Sequence, residues 1–145
     1  MAVTNITAGQ KDWLSTLNND LTELNNRDSG TWTSAGLTAM NGYTLNGCSY
    51  FYGMIGGRKY LMINGTVSIS SGSIGGQTNR EVIQLPATVK GCGMKVTGFA
   101  YVQNSNNGYP LLVDYNSNNQ RLSFVNITGV SMTFTSISFG AIMTE

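Results

Sequence analysis

Apolar side chains follow two different periods along the chain, and the change falls near residue 30. In the first part the leucines Leu14, Leu17, Leu21 and Leu24 recur at spacings of three, four and three. These spacings match the a and d positions of a heptad, so they predict a helix with a narrow apolar seam. Thr7 with Gln10 matches a capping box, and we therefore expect the helix to begin after Thr7. The polar stretch 25–30 is predicted to end the helix and to form a linker.

The leucine seam covers only about two heptads, and so short a helix is marginal in water without a partner. One interpretation is an amphipathic helix that docks on its own domain. The other is a short coiled coil that joins copies of the chain. The seam is narrow, whereas a stripe that docks on a globular domain is usually wider, and this favours the coiled coil.

From Thr31 onward the period becomes two, which is typical of half-buried strands. Leu61 and Ile63 lie two residues apart and should share one face of a strand. Leu111 and Val113 do the same in a later run. The parity changes between Phe134 and Ile137, which predicts a bulge. Runs of this kind recur about every ten residues with Gly and Asn between them, and this spacing favours a sandwich or a barrel. The predicted strands cover residues 31–38, 43–52, 58–70, 80–85, 94–103, 109–115, 120–127 and 131–143.

Several predicted strands carry apolar residues on both faces, for example Leu111-Leu112-Val113. One face should fill the core, and the other needs a cover. Identical neighbouring chains would supply it and would also hide sheet edges. We therefore expect residues 1–30 to serve attachment and oligomerisation, and residues 31–145 to form the β domain.

Composition argues against catalysis. The chain has no histidine, and it has only seven acidic residues, four of which lie in the first 28 positions. A serine nucleophile would lack a histidine base, and a zinc site would lack clustered ligands. Glu81 and Asp114 form the one plausible carboxylate pair for glycoside hydrolysis within the β region. We expect no metal and no cofactor.

Charge and hydropathy restrict the partners. The net charge is +1 and charged residues make up 10%, about half the usual share, so nothing favours nucleic acid or an acidic membrane surface. No apolar run is long enough to span a membrane, and the first ten residues do not resemble a signal peptide. We expect a soluble protein made in a cytoplasm. Cys48 and Cys92 allow one disulfide, but two free and partly buried thiols are favoured.

The chain resembles the small tail-tip proteins of phages, or prophages, that infect Gram-positive bacteria. Three stretches carry the resemblance: the opening residues 1–7 that lead into the leucine helix; Tyr60-Leu61-Met62-Ile63-Asn64-Gly65-Thr66-Val67 with the later Ile83-Gln84-Leu85-Pro86; and the C-terminal run 121–139. The resemblance implies a mostly β fold: a jelly-roll-like antiparallel β-sandwich head preceded by a short N-terminal α-helix. It also implies a homotrimer in the virion, at the phage tail tip, that contacts other tail or baseplate proteins through the helix.

Heads of that family bind saccharides of the host cell wall, which is what the resemblance implies for this chain. Aromatic faces and planar polar groups hold sugars, so side chains of these kinds are the candidates. The candidate saccharide-binding residues are Tyr50, Tyr52, Tyr101, Asn104, Asn106, Asn107, Tyr109, Asp114 and Arg121. The candidate oligomerisation residues are Leu14, Leu17, Leu21 and Leu24.

Three functions are consistent with the sequence. The first is an adhesion protein that recognises a cell-surface carbohydrate and gains strength through several copies. The second is a structural tail or baseplate component without a sugar site. The third is a polysaccharide hydrolase that acts through Glu81 and Asp114, and it would fail if the two carboxyl groups lie more than about 10 Å apart.

Overall fold

The computed structural model describes residue 9 and residues 11–90, 97–103 and 109–144, with backbone alone at 97–99, 101–103 and 109. Helix α1 spans Trp13–Arg27. The nine strands that follow are β1 (Trp32–Thr33), β2 (Thr38–Ala39), β3 (Thr44–Ile55), β4 (Arg58–Ile74), β5 (Asn79–Gln84), β6 (Thr97–Gln103), β7 (Tyr109–Asn116), β8 (Arg121–Val125) and β9 (Met132–Thr144).

The strands form one antiparallel ladder in the order β1-β3-β4-β9-β6-β7-β8-β5-β2. This ladder folds over, so that buried residues from its two halves meet in a single core. Leu61 and Ile63 from β4 belong to this core together with Leu122 and Phe124 from β8. The prediction of a mostly β, antiparallel fold after a short N-terminal helix is confirmed.

Alternation decides which residues enter the core. In β7, Leu111, Val113 and Tyr115 are buried, whereas Leu112 between them is 40% exposed on the outer face. In β9, Ile142 is likewise exposed on the outer face. The predicted second apolar face therefore exists, and its cover by neighbouring chains stays a prediction.

The predicted irregularity in the last strand is confirmed. In the pairing of β4 with β9, Ser68 lies opposite Ser136, but the next paired residues are Gly72 and Phe134. The register therefore shifts at this point. This shift returns both Phe134 and Ile137 to the core although they are three residues apart.

The predicted single strand over 31–38 is wrong. The edge segment, residues 32–39, instead makes two short pairings on opposite edges of the ladder. Trp32 and Thr33 pair with β3, and Thr38 and Ala39 pair with β5. A hydrogen bond of 3.2 Å from Tyr50 Oη to the Ala35 carbonyl holds the segment between them. Local alternation predicts extended backbone here, but it cannot reveal that the chain crosses from one edge to the other.

The helix begins at Trp13, later than the capping box predicts. Asp12 precedes it with a φ of 65° and makes no side-chain cap, and Thr7 and Gln10 lie outside the described residues. The helix extends into the predicted linker, residues 25–30, and ends at Arg27. Ser29 then exchanges two backbone hydrogen bonds with Met54, of 3.0 and 2.8 Å. The end of the helix is therefore fixed to the β3–β4 hairpin, while the domain division at residue 30 stays a prediction.

Cys48 is a free, buried thiol, as predicted. Its Sγ lies 3.3 Å from the Thr66 carbonyl, and burial raises the pKa of the thiol. Gly65 provides the room, since a Cβ at that position would lie 2.6 Å from Cys48 Sγ. Cys92 lies outside the described residues.

Candidate functional site

The outer face of β5, β8 and β7 carries a cluster of polar side chains. Leu122 and Phe124 of β8 point into the core. Successive side chains of a strand alternate between its faces, so Arg121 and Ser123 face outward. Ser123 pairs with Glu81 on one side and with Asp114 on the other. Arg121 pairs with Gln84 on one side and with Asn116 on the other. Directly opposed residues in a ladder share a face, so all six belong to one surface, the outer polar cluster.

A bulge in β5 is what brings two of these residues to the same face. The pairing of β5 with β8 shifts between Glu81 and Ile83, with Val82 as the extra residue. Val82 and Ile83 are consequently both buried, and Glu81 and Gln84 both reach the outer face although they are three residues apart.

Arg121 is oriented from two sides. Its Nη1 donates to Glu81 Oε2 at 2.8 Å, and its Nε donates to Gln84 Oε1 at 3.3 Å. The side chains of Arg121 and Glu81 are 39% and 34% exposed, so the pair is open to a ligand. A surface ion pair of this kind adds little to stability, but it does fix the direction of the guanidinium group.

Gln84 links Arg121 to the neighbouring turn. Its Nε2 lies within hydrogen-bond distance of the carbonyls of Leu85, Asn119 and Gln120, at 3.1, 2.8 and 3.2 Å. The turn after β7 is closed by an Asn116 side chain that accepts from the Asn118 amide at 3.0 Å. Asn119 Oδ1 in this turn is buried and has no hydrogen-bond partner among the described residues.

Asp114 lies on the same surface, beside Ser123 and across it from Glu81. It is half-buried, and within the described part of the chain its carboxylate forms no ion pair or hydrogen bond. Ser123 between the two carboxylates is only 6% exposed, so the acidic side chains and Arg121 form the accessible part of the surface.

Tyr50 and Tyr52, two of the candidate stacking residues, lie against the core. Tyr50 is 7% exposed, which excludes its ring as an accessible platform in this structure. Tyr52 is half-buried and packs against the core; its hydroxyl bonds to the backbone of Lys90, and Lys59 Nζ lies 5.2 Å from its ring centre. Tyr50 and Tyr52 share one face of β3, as their spacing predicts, and this face is the inner one.

Five other candidates lie outside the described residues or have no described side chain: Tyr101, Asn104, Asn106, Asn107 and Tyr109. Their role in binding stays a prediction. Of the candidates that the structure does describe, Asp114 and Arg121 share a surface. Glu81 and Gln84 were not among the candidate binding residues; the consecutive apolar pair Val82-Ile83 was the signal of a bulge that could have identified them.

The leucine seam of α1 faces solvent. Leu14, Leu17, Leu21 and Leu24 are between 36% and 55% exposed, and α1 contains no buried residue. Docking on the chain's own β domain would have buried this seam. Among the described residues, no helix is both long and apolar enough to cross a membrane.

Comparisons with known proteins place the fold. No protein-family model matches the chain, and no curated protein matches it. The fold is similar to that of the receptor-binding head domain of the lactococcal phage bIL170, with a TM-score of 0.57 at 16% identity over 79% of this chain and 96% of that one. A second similar structure is the receptor-binding protein of Listeria phage PSA, with a TM-score of 0.48 at 14% identity over 93% of this chain and 88% of that one.

Proposed function

We propose that this chain is a receptor-binding protein of a phage tail tip, which attaches the virion to a saccharide on the surface of the host cell. The observation that carries the proposal is the fold: the structural similarity extends over 96% of the head domain of phage bIL170, a receptor-binding domain. The absence of histidine and the scarcity of carboxylates support adhesion over catalysis. The host cytoplasm would be the site of synthesis.

The saccharide would bind at the outer polar cluster. Arg121 is exposed and oriented, Asp114 is within one strand of it, and both hydrogen-bond donors and acceptors are present. Sugar hydroxyls donate and accept, so they match such a surface. Tyr101, Tyr109 and the Asn-rich residues 104, 106 and 107 would extend the site.

The functional unit would be a homotrimer, with α1 joining three chains and contacting other tail or baseplate proteins. The exposed leucine seam supports this arrangement, since four leucines at a and d spacing require a cover. A shallow sugar site binds weakly, and three copies on one particle would raise the avidity by orders of magnitude.

Binding to purified cell-wall polysaccharides from a panel of Gram-positive bacteria tests the proposal. The expected result is retention by at least one wall fraction, without depolymerisation of that fraction. Arg121→Ala should lose most of the binding, whereas Arg58→Ala, on the β3–β4 hairpin, should keep it. An intact oligomer that binds no wall fraction would favour the structural role instead.

A further inference from the structure

The charge of the outer polar cluster restricts which saccharides it can hold. The cluster contains two carboxylates, Glu81 and Asp114, and one cation, Arg121, so its formal charge is negative. The β domain carries other cations elsewhere: Arg58, Lys59 and Lys90 lie at or near the β3–β4 hairpin. Arg80 adjoins Glu81 in β5, but it pairs with the inward-facing Phe124 and interacts with Tyr43. Residues 31–145 therefore have a net positive charge, whereas the outer polar cluster has a negative one.

The donors available at the cluster come from Arg121. A guanidinium group has five N–H donors. One N–H of Nη1 is used by Glu81 and the Nε–H is used by Gln84. The remaining three N–H groups, on Nη1 and Nη2, have no partner among the described residues. They can donate to two neighbouring oxygens of a ligand in the forked manner that guanidinium groups allow.

The acceptors available at the cluster are carboxylate oxygens. Asp114 has both oxygens unpaired within the described chain, and Glu81 retains Oε1. A ligand must therefore donate hydrogen bonds as well as accept them. A hydroxyl group does both, whereas phosphate and carboxylate groups only accept and would be repelled by Asp114 and Glu81.

From this geometry we infer that the cluster selects an uncharged, polyhydroxylated saccharide and discriminates against phosphate- or carboxylate-bearing polymers. Arg121 donates hydrogen bonds to the oxygens of adjacent hydroxyl groups, and Asp114 accepts hydrogen bonds from the hydroxyl groups. Gln84 is a positioning residue: it holds Nε of Arg121 while its amide fixes the turn at Asn119 and Gln120. The inference rests on the proposed function, because it specifies the ligand of the same site.

The test compares two sets of immobilised oligosaccharides, neutral and phosphate-bearing, that share the same sugar backbones. Binding of the full-length chain is measured at about 50 mM and at about 500 mM NaCl, where screening differs strongly. We expect the neutral set to be bound and the binding to change less than about twofold between the two salt concentrations, because no net ionic attraction drives it.

Two substitutions report on the two halves of the argument. Asp114→Asn removes the repelling charge with little change of shape, so the preference for neutral over phosphate-bearing ligands should shrink about threefold or more. Arg121→Lys keeps the charge and loses the fork, so neutral binding should fall about tenfold. The controls Glu23→Gln, on the side of α1 away from the leucine seam, and Arg58→Lys on β4 should bind as the unsubstituted chain does. Urea unfolding of each variant establishes that it is folded; should Arg121→Lys fail to fold, Asp114→Asn and the salt series still decide.

The outcomes separate the two proposals. Preferential, salt-sensitive binding of the phosphate-bearing set would overturn the inference and leave the adhesion function standing. The same holds if Asp114→Asn and Arg121→Lys behave like their controls while wall binding persists. A chain that binds neither these oligosaccharides nor any wall fraction would overturn both.

Discussion

Tyr43 places a hydroxyl group in the core without a hydrogen-bond partner of normal geometry among the described residues. Its ring is stacked on Phe134 with the ring centres 6.2 Å apart. Burial raises the pKa of Tyr43 above its ordinary value of 10.0, and the nearby Arg80 opposes that rise in part. The ring therefore stabilises the core, whereas desolvation of the hydroxyl costs free energy that the nearby Arg80 offsets only in part.

Tyr43→Phe should leave the free energy of unfolding within about 1 kcal/mol of the original value or raise it, because no buried partner loses a bond. Tyr115→Phe is the matched control: its hydroxyl donates to the buried Val89 carbonyl at 3.1 Å, and its loss should cost about 1–2 kcal/mol. Urea unfolding of both variants measures the difference. A loss as large for Tyr43 as for Tyr115 would show that the Tyr43 hydroxyl is bonded.

The raised pKa of Tyr43 also predicts that stability depends on pH. A group whose pKa is raised by folding adds stability below its unfolded pKa, and this is lost as the pH rises through the folded value. Tyr43 and Cys48 both have pKa values raised by burial, so the original chain should lose stability as the pH rises above about 9, and further as it rises above 10.0, the ordinary pKa of a tyrosine. Tyr43→Phe should lose less over this range. Equal slopes for the two proteins would contradict the assignment.

Residue chemistry could predict two members of the outer polar cluster, whose role in binding stays a prediction. Asp114 and Arg121 are the planar charged groups that sugar recognition uses, and the structure places them on one surface. Tyr50 is buried and Tyr52 is partly buried against the core, which their shared parity could not predict because it does not say which face is the inner one. Glu81 and Gln84 required knowledge of the bulge at Val82, which depends on the long-range pairing of β5 with β8.

At the scale of elements, α1 is a helix that its own chain barely covers, and we predict that self-association stabilises it. It buries no residue. Its end is fixed to the β3–β4 hairpin by the Ser29 backbone bonds, by a bond of 3.1 Å from the Gly57 amide to the Arg27 carbonyl, and by the Asp28 side chain, which accepts from the Gly56 amide at 2.7 Å. A helix of about four turns with an uncovered leucine seam is marginal in water. Its formation should therefore accompany self-association.

Leu17→Ser combined with Leu21→Ser should abolish oligomerisation. Light scattering coupled to size-exclusion chromatography should give about three times the chain mass of 15.6 kDa for the original protein and one chain mass for the variant. Asn19→Ser with Glu23→Ser changes the opposite side of the helix and should leave the mass unchanged. A monomeric original protein would refute the role assigned to the seam.

The strands were predicted well from alternation, and the edge segment was not. Seven of the eight predicted strands overlap β3 to β9 within a few residues. The alternation is clearest in β7, which buries Leu111, Val113 and Tyr115. The exception, residues 31–38, has too few core contacts to show its course, and its two pairings are set by Phe51 and Tyr50 on one edge and by Ile83 and Gln84 on the other. Short pairings of this kind protect both edges from other chains.

At the scale of the whole molecule, the β domain should fold without α1, since its core contains no helical residue. A fragment of residues 31–145 should keep a β-rich circular dichroism spectrum and unfold cooperatively as a monomer. Removing Gly30, whose backbone lies against the Phe51 ring, should lower the unfolding free energy by about 1–2 kcal/mol. A fragment of residues 27–145, which keeps the Ser29–Met54 bonds, should recover this loss; a fragment 31–145 without a cooperative transition would contradict the domain division.

The position of β9 has a consequence for the order of events during synthesis. β9 is the last of the nine strands along the chain, yet it lies between β4 and β6 in the middle of the ladder. Strands β6, β7, β8 and β5 can pair with one another earlier, but β4 and β6 have no common neighbour until residues 132–144 have left the ribosome. The nascent chain therefore carries open edges on both β4 and β6, and translation that stops before residue 132 should yield a product for proteolysis instead of a shortened folded domain.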